Sequence, residues 1–370
     1  MKILRYISRI IIGIVFIFSG TVKAIDPLGT VYKFQDYFQA FHLGILKEIS
    51  LPLAILLCTF EFIAGFSVLF NIRQKTGIWM VMILMAVFTP LTFVLALTNP
   101  VSDCGCFGDA IHLTNWQTFF KNILLLVPAV YLLITRNKIL PRPGIIREWA
   151  TMSIAMLIFI VFIFYNLRYL PVIDFLPYKT GTKIPEKMVV PDGMPVDKYE
   201  TTLIYEKDGQ KKEFEISDYP AGDSTWKFVS QNSVLVSKGY QPPIHDLSFT
   251  SLAGEDLTQQ ILSSQRYTLL MIARKLRDCE PELLKKGSDL GSLCTGSQID
   301  FYIITSSASD EVKNFFSGVN VCLADETTLK TMMRSNPGYM LLKDGTIKGK
   351  WSWANVPDIE SLIKFISNNK

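Results

Sequence analysis

Asp103-Cys104-Gly105-Cys106-Phe107-Gly108-Asp109 is a short stretch between two long apolar runs, Thr76–Leu97 and Trp116–Thr135. Crossing a bilayer takes about 20 apolar residues in a helix, and both runs reach that length. The stretch therefore reads as a loop at a membrane surface, joining two spans. Working outward, Ile3–Val22, Ile49–Phe70 and Trp149–Leu167 are runs of the same kind. The pattern predicts an α-helical membrane bundle, with a four-helix domain over 1–140 and a fifth span over 141–170.

The chain has 370 residues, of which 49% are hydrophobic and 19% charged, against about 25% charged in an ordinary soluble protein. The excess apolarity lies almost wholly before Pro171. A net charge of +4 with no basic stripe interleaved with aromatics argues against nucleic acid as a partner. Lys2, Arg5 and Arg9 at the start of the first run, with Val22-Lys23-Ala24 at its end, resemble a cleavable signal. The spans that follow favour a retained helix.

Lys and Arg collect on the cytoplasmic side of membrane proteins. Here they collect at the N-terminus, at Arg73 and Lys75, and at Arg136, Lys138, Arg142 and Arg147, whereas Thr98–Asn115 holds none. The expected topology is an inner-membrane, multi-pass protein with its N-terminus in the cytoplasm. The Cys104–Cys106 loop and everything after the fifth span are then periplasmic, where disulfides persist.

After Pro171 the sequence reads as water-soluble. Residues 171–242 read as a small β-rich linker module, in which Tyr199–Tyr205 and Lys212–Ile216 flank a Lys207-Asp208-Gly209 turn. Residues 243–370 alternate strand and helix: strands at Tyr267–Ala273, Asp300–Thr305 and Val321–Ala324, with helices at Cys279–Leu293, Asp310–Phe316 and Glu326–Arg334. A hairpin, Tyr339–Lys343 and Thr346–Trp351, and a helix over Pro357–Ser367 close the chain. That order is the α/β thioredoxin fold. Asn336-Pro337 falls where this fold keeps a proline facing its active site.

Cysteines spaced C-x-C with glycine between them can close a very small ring. Such a ring is strained and easily reduced, which suits a transferable disulfide. A surface loop leaves both sulfurs accessible to thiolate attack. A static bridge brings the same residues together, and Asp109 and His112 raise a metal site, although these are too few ligands for a closed zinc centre.

Several of these residues together resemble a known family. Gly13-x-x-Phe16-x-x-Ser19-Gly20-x-x-Lys23-x-x-Asp26-Pro27 is similar to the first span of the DoxX-like membrane proteins, and Glu61-x-x-x-Gly65 fits the same pattern. Asp103-Cys104-Gly105-Cys106-Phe107-Gly108 resembles the cysteine signature of the MauE branch, the methylamine-utilisation relatives. The resemblance implies a four-helix core that serves disulfide formation or electron transfer for exported proteins. Its layout is comparable to that of the quinone-linked disulfide oxidases, which makes a membrane quinone the implied acceptor. A fifth span with a thioredoxin-like tail resembles an arrangement found in Bacteroidetes.

Beside the Cys104–Cys106 pair, Glu61 is a candidate. An ionisable side chain inside a span is costly and points to function, as a proton relay or a partner for Lys23, and equally to a structural hydrogen bond. Cys58 lies on the same helix face and reads as a small core residue. Where a working thioredoxin presents Cys-x-x-Cys, this chain has Arg274-Lys-Leu-Arg-Asp-Cys279, with a single cysteine. Cys279 is an inert cysteine or a mono-thiol partner for Cys106 or a client. Cys294 would lie roughly 20 Å from Cys279 along a straight helix, beyond bridging reach, and Cys322 reads as core.

Two functions follow. In one, Cys104 and Cys106 cycle between dithiol and disulfide, Glu61 assists, and the thioredoxin-like domain receives exported envelope clients. In the other, that domain recognises an envelope partner without chemistry and the cysteines brace a loop.

Overall fold

The structure, a computed structural model, describes residues 2–101, 103–138, 144–195, 197–237, 239–316 and 318–368. Arg142 lies outside the described residues. Helix α1 (Lys2–Ile25) gives way at once to α2 (Pro27–Ala40). Asp26 separates them as an N-cap: its carboxylate accepts the Gly29 N–H at 3.0 Å, and Pro27 occupies the first helical position, where no N–H is needed. Then come α3 (Ser50–Phe70), α4 (Gln74–Thr98), α5 (Asn115–Thr135) and α6 (Ile145–Arg168). All five expected spans are present as helices long and apolar enough to cross a membrane. The chain is a multi-pass membrane protein.

Two glycines set how closely α1 and α3 pack. A Cβ on Gly20 would lie 2.8 Å from the Phe62 nitrogen, and one on Gly65 would lie 2.6 Å from the Ile17 nitrogen. Small residues at both positions let the two backbones touch, the usual way helices associate in lipid. This contact brings Lys23 of α1 against Glu61 of α3.

After the bundle, α7 (Ile184–Met188) precedes β1 (Lys198–Lys207), β2 (Gln210–Glu215) and β3 (Lys227–Ser237). These strands form an antiparallel sheet in the order β2-β1-β3. Asp208 and Gly209, both at positive φ, make the expected hairpin turn. The third strand is hidden in the sequence because its centre, Ser230–Ser233, is polar and breaks the period-two alternation.

The remainder is β4 (Thr250–Ser251), α8 (Thr258–Leu262), β5 (Thr268–Ile272), α9 (Pro281–Gly296), β6 (Asp300–Thr305), α10 (Ser309–Phe315), β7 (Val321–Leu323), α11 (Glu326–Met332), β8 (Gly338–Lys343), β9 (Thr346–Ser352) and α12 (Ile359–Asn368). The sheet runs β4-β7-β6-β5-β8-β9, with β5, β6 and β7 parallel and β8 and β9 antiparallel. This is the thioredoxin arrangement that the alternation of elements predicts. Residues of β5 alternate between two apolar cores, Leu269 and Met271 on one face and Leu270 and Ile272 on the other. Tyr178 and Ile184 also belong to the second core, so the segment leaving α6 packs into the thioredoxin-like domain before the three-stranded sheet begins. The Asn336-Pro337 bond is cis.

Candidate functional site

The α1–α3 contact buries an ion pair. Lys23 Nζ lies 2.8 Å from Glu61 Oε2, and both side chains are 4% exposed. A lone charge here would be prohibitively costly, and pairing with further hydrogen bonds makes it tolerable. Lys23 also donates to Ser19 Oγ at 2.7 Å and to the Cys106 carbonyl oxygen at 2.5 Å. Ser19 Oγ donates to that same carbonyl at 2.8 Å. The mid-membrane charge predicted at Glu61 is thus one hydrogen-bonded step from the cysteine loop.

The loop is held from α2 as well. Tyr37 Oη donates to the Cys104 carbonyl at 2.6 Å, and Lys33 Nζ donates to Asp103 Oδ2 at 2.9 Å. Asp103 accepts the Gly105 N–H at 2.9 Å, closing a tight turn in which Gly105 sits at φ +61°. Burial would raise the Asp103 carboxyl, but hydrogen bonds from His112 and Lys33 override it and hold the group at about 2. Phe107 packs edge-on against Phe18 and carries the Lys121 ammonium 4.4 Å above its ring.

Within this frame the Cys104 and Cys106 sulfurs face each other at 2.8 Å. The two sulfurs share a hydrogen bond, and this bond holds Cys104 down to about 6 despite burial, with help from Thr118 and Lys121. The Cys106 thiol is pushed up by the same bond and by burial. One sulfur is therefore poised as a thiolate and the other kept as a thiol. Both line a cavity of about 90 Å³ that reaches into the bundle past Lys23 and Glu61, between apolar side chains such as Phe16, Leu57 and Phe88. Asp109 and His112, the other potential metal ligands, are engaged with Arg334 and Asp103.

The thioredoxin-like domain rests on this end of the bundle. Arg334 donates to Asp26 Oδ2 at 2.7 Å and to Asp109 Oδ2 at 2.6 Å. The Tyr32 ring of α2 is met by Arg274, Lys330 and Arg334, each 5.2–5.3 Å from its centroid, and Arg274 also donates to its hydroxyl. The Arg274 N–H donates to the Asn336 side chain at 2.8 Å. Arg274 follows β5, where a thioredoxin carries its cysteines, and Asn336 precedes the cis proline. The face that would hold a thioredoxin active site is therefore turned toward the cysteine loop.

The structure does not bring Cys279 to that loop. Its side chain is buried among Leu276, Leu284 and Tyr339, and burial pushes its thiol up to about 12. Cys58 lies in the bundle core, and Cys294 and Cys322 lie in the soluble cores. Nothing in the sequence pattern singles out Tyr32, Lys33, Tyr37, Lys121 or Arg334. The one usable hint was Asp26, which the first-span motif contains.

The model of the family described as methylamine utilisation protein MauE matches residues 1–135. A second model, a domain of unknown function (DUF8463), matches residues 199–238, the three-stranded sheet. Protein TlpB of Flavobacterium psychrophilum is 32% identical over 139 residues, which are 36% of this chain and 38% of that protein. The chain thus spans well under half the length of this relative. Solved structures similar to it include a thiol-disulfide oxidoreductase from Bacteroides fragilis NCTC 9343, at 15% identity over 34% of this chain and 97% of that one, with TM-score 0.27. A thioredoxin-like protein from Bacteroides caccae ATCC 43185 is 12% identical over 91% of this chain and 87% of that one, with TM-score 0.24. This is a multi-pass membrane protein whose first 135 residues match the MauE model and whose C-terminal portion has the thioredoxin topology.

Proposed function

We propose that this protein is a membrane-bound thiol–disulfide redox protein that acts through Cys104 and Cys106. The observation that carries the reading is the pair of sulfurs facing each other at 2.8 Å in the lining of an apolar cavity. In the oxidising direction the pair starts as a disulfide. A client thiolate attacks one sulfur, the other leaves as a thiolate, and a second client thiol resolves the mixed disulfide. The client loses two electrons and two protons, and the pair gains them. Lys23 and Glu61 lie where a proton can be held beneath the sulfurs.

The positive-inside bias supports placing this exchange on the periplasmic side, with exported envelope proteins as clients. The thioredoxin-like domain then serves as a platform beside the loop, a role favoured over dithiol chemistry of its own because only one cysteine, the buried Cys279, stands where a thioredoxin carries two. A membrane quinone, the acceptor the family resemblance implies, suits the cavity's chemistry: apolar walls with the Lys121 ammonium among them. Such a group would supply an oxidant for the dithiol.

Trapping tests the reading. In Cys104→Ser and Cys106→Ser single variants, one of the two should accumulate a mixed disulfide with an exported protein, reversible by reductant. The double variant should accumulate none and should shift the redox state of exported thiols. If neither single variant traps a client and the double variant leaves exported thiols unchanged while the protein still accumulates, the assembly reading replaces this one.

A further inference from the structure

A loop joining two helices at the end of a bundle ordinarily lies open to solvent, yet every residue from Asp103 to Ala110 is half-buried. Much of the cover is α2. Thr30, Lys33, Phe34 and Tyr37 fall at the i, i+3, i+4, i+7 spacing of one helix face, and all four line the cavity that Cys104 and Cys106 share. Tyr37 and Lys33 bond to the Cys104 carbonyl and to Asp103, and a Cβ on Gly105 would strike the Lys33 stem. Tyr32 lies on the opposite face of the helix. There its ring meets Arg274, Lys330 and Arg334 of the thioredoxin-like domain. Helix α2 is thus a layer between the cysteine pair and the soluble domain.

The hold on this layer is uneven. Pro27, Gly29, Thr30 and Val31 are buried, and Asp26 ahead of them is clamped by Arg334. From Tyr32 to Ala40 no residue is buried. Among the described residues, none from α2 belongs to either apolar cluster of the bundle core. The helix then runs out into His42, at φ +58°, and Gly44, where an added Cβ would touch nothing. A segment with few buried contacts opens locally at low cost in free energy. Opening the outer turns of α2 breaks the Lys33 and Tyr37 bonds to the cysteine loop and leaves the bundle core intact.

We propose that the outer turns of α2, Tyr32–Ala40, are a lid over Cys104 and Cys106, and that the thioredoxin-like domain latches it through Tyr32. Closed, the lid lets a small thiol reach the pair and keeps a protein thiol out. Lifted, it admits a client cysteine. The client's part rests on the redox reading of the pair, whereas the lid itself concerns access alone and is tested without exchange chemistry.

In the reduced full-length protein carrying Cys106→Ser, Cys104 is the one cysteine that is not buried. Its labelling in detergent by N-ethylmaleimide is compared with labelling by the same maleimide on a protein-sized polyethylene glycol, read by intact mass and by gel shift. The ratio of the two rates reports access and cancels thiol acidity. The small reagent should be favoured about a hundredfold more than on a free cysteine peptide. Tyr32→Ala removes the ring that three cations meet and should speed polymer labelling about tenfold while the small reagent changes little. Tyr32→Phe keeps the ring and should keep most of the native ratio. Tyr199→Ala, at an exposed tyrosine of β1, should leave the ratio unchanged. Where Tyr32→Ala lowers the yield of folded protein, Lys330→Gln takes one cation from the ring and should speed polymer labelling about threefold. A native ratio equal to that of the free peptide, polymer labelling that neither Tyr32→Ala nor Lys330→Gln speeds, or equal effects of Tyr32→Ala and Tyr199→Ala overturns the lid. Failure of the redox reading alone shows in the client-trapping variants and leaves these ratios as they stand.

Discussion

Arg334, on the segment leading to the cis proline of the thioredoxin-like domain, donates to Asp109 of the cysteine loop at 2.6 Å. The same guanidinium holds Asp26, the residue that separates α1 from α2, at 2.7 Å. One side chain, 8% exposed, therefore ties the soluble domain to the loop and to the turn between two helices. Arginine suits this task because its donors form a rigid fork that can engage two carboxylates at once.

Replacing it should loosen the docking. Arg334→Ala leaves Asp26 and Asp109 without their shared cation, and breaking a buried pair from one side costs about 3–5 kcal/mol. The expected result is a lower melting temperature for the full-length protein and faster proteolysis between α6 and β1. Arg334→Lys should recover only part of the loss, since it restores the charge without the fork. Thermal unfolding of both variants checks this, and an unchanged melting temperature for Arg334→Ala would count against the clamp.

The Lys23–Glu61 pair makes a similar claim inside the bundle. Lys23→Met alone strands the Glu61 carboxylate and should destabilise the protein by about 3–5 kcal/mol. Lys23→Met combined with Glu61→Leu removes both charges and should regain most of that. A double-mutant cycle on melting temperature measures the coupling. Additive losses would show that the two side chains act separately.

Much of this was legible in the sequence, for identifiable reasons. Spans announce themselves because lipid demands about 20 apolar residues whatever the partner. The thioredoxin order was readable because β5, β6 and β8 are short apolar runs bounded by turn residues. Helix α2 was not readable as a helix: its composition is mixed, and the decisive signal, Asp26-Pro27 as cap and first turn, also occurs in loops. The docking was hidden for a different reason. Arg334 and Asp26 are 308 positions apart, and no local pattern encodes which surface arginine will meet which aspartate. For the same reason Cys104 and Cys106 could be named from their spacing, while Lys33, Tyr37 and Lys121, which hold the loop from other helices, could not.

Gly105 is the residue whose replacement separates loop geometry from loop chemistry. Its φ of +61° lies in the left-handed region, and an added Cβ would stand 2.9 Å from Lys33 Cγ. Gly105→Ala should cost about 1–2 kcal/mol from the backbone and push Lys33 away from Asp103, while both sulfurs remain. We expect a small fall in melting temperature and a larger fall in the rate at which a client disulfide is exchanged. A variant with normal stability and normal exchange would show that the turn is not needed to present the sulfurs.

The two sulfurs should differ in reactivity, and pH distinguishes them. Cys104 is held down to about 6, chiefly by the hydrogen bond it shares with Cys106, so it is mostly thiolate at pH 7 and loses that charge as pH falls through 6. In reduced protein its alkylation rate should be nearly flat above pH 7 and drop about tenfold from pH 7 to pH 5. Cys106→Ala removes the shared hydrogen bond, so the Cys104 midpoint should move upward and alkylation at pH 7 should slow. Cys279 is the internal control: it is 7% exposed and pushed up to about 12, so native protein should leave it unlabelled across the same range. Peptide mapping after timed alkylation reads all three cysteines at once. A Cys104 midpoint near that of a free thiol, about 8.5, would mean that Cys106 does not activate it and that the loop carries an ordinary pair of cysteines.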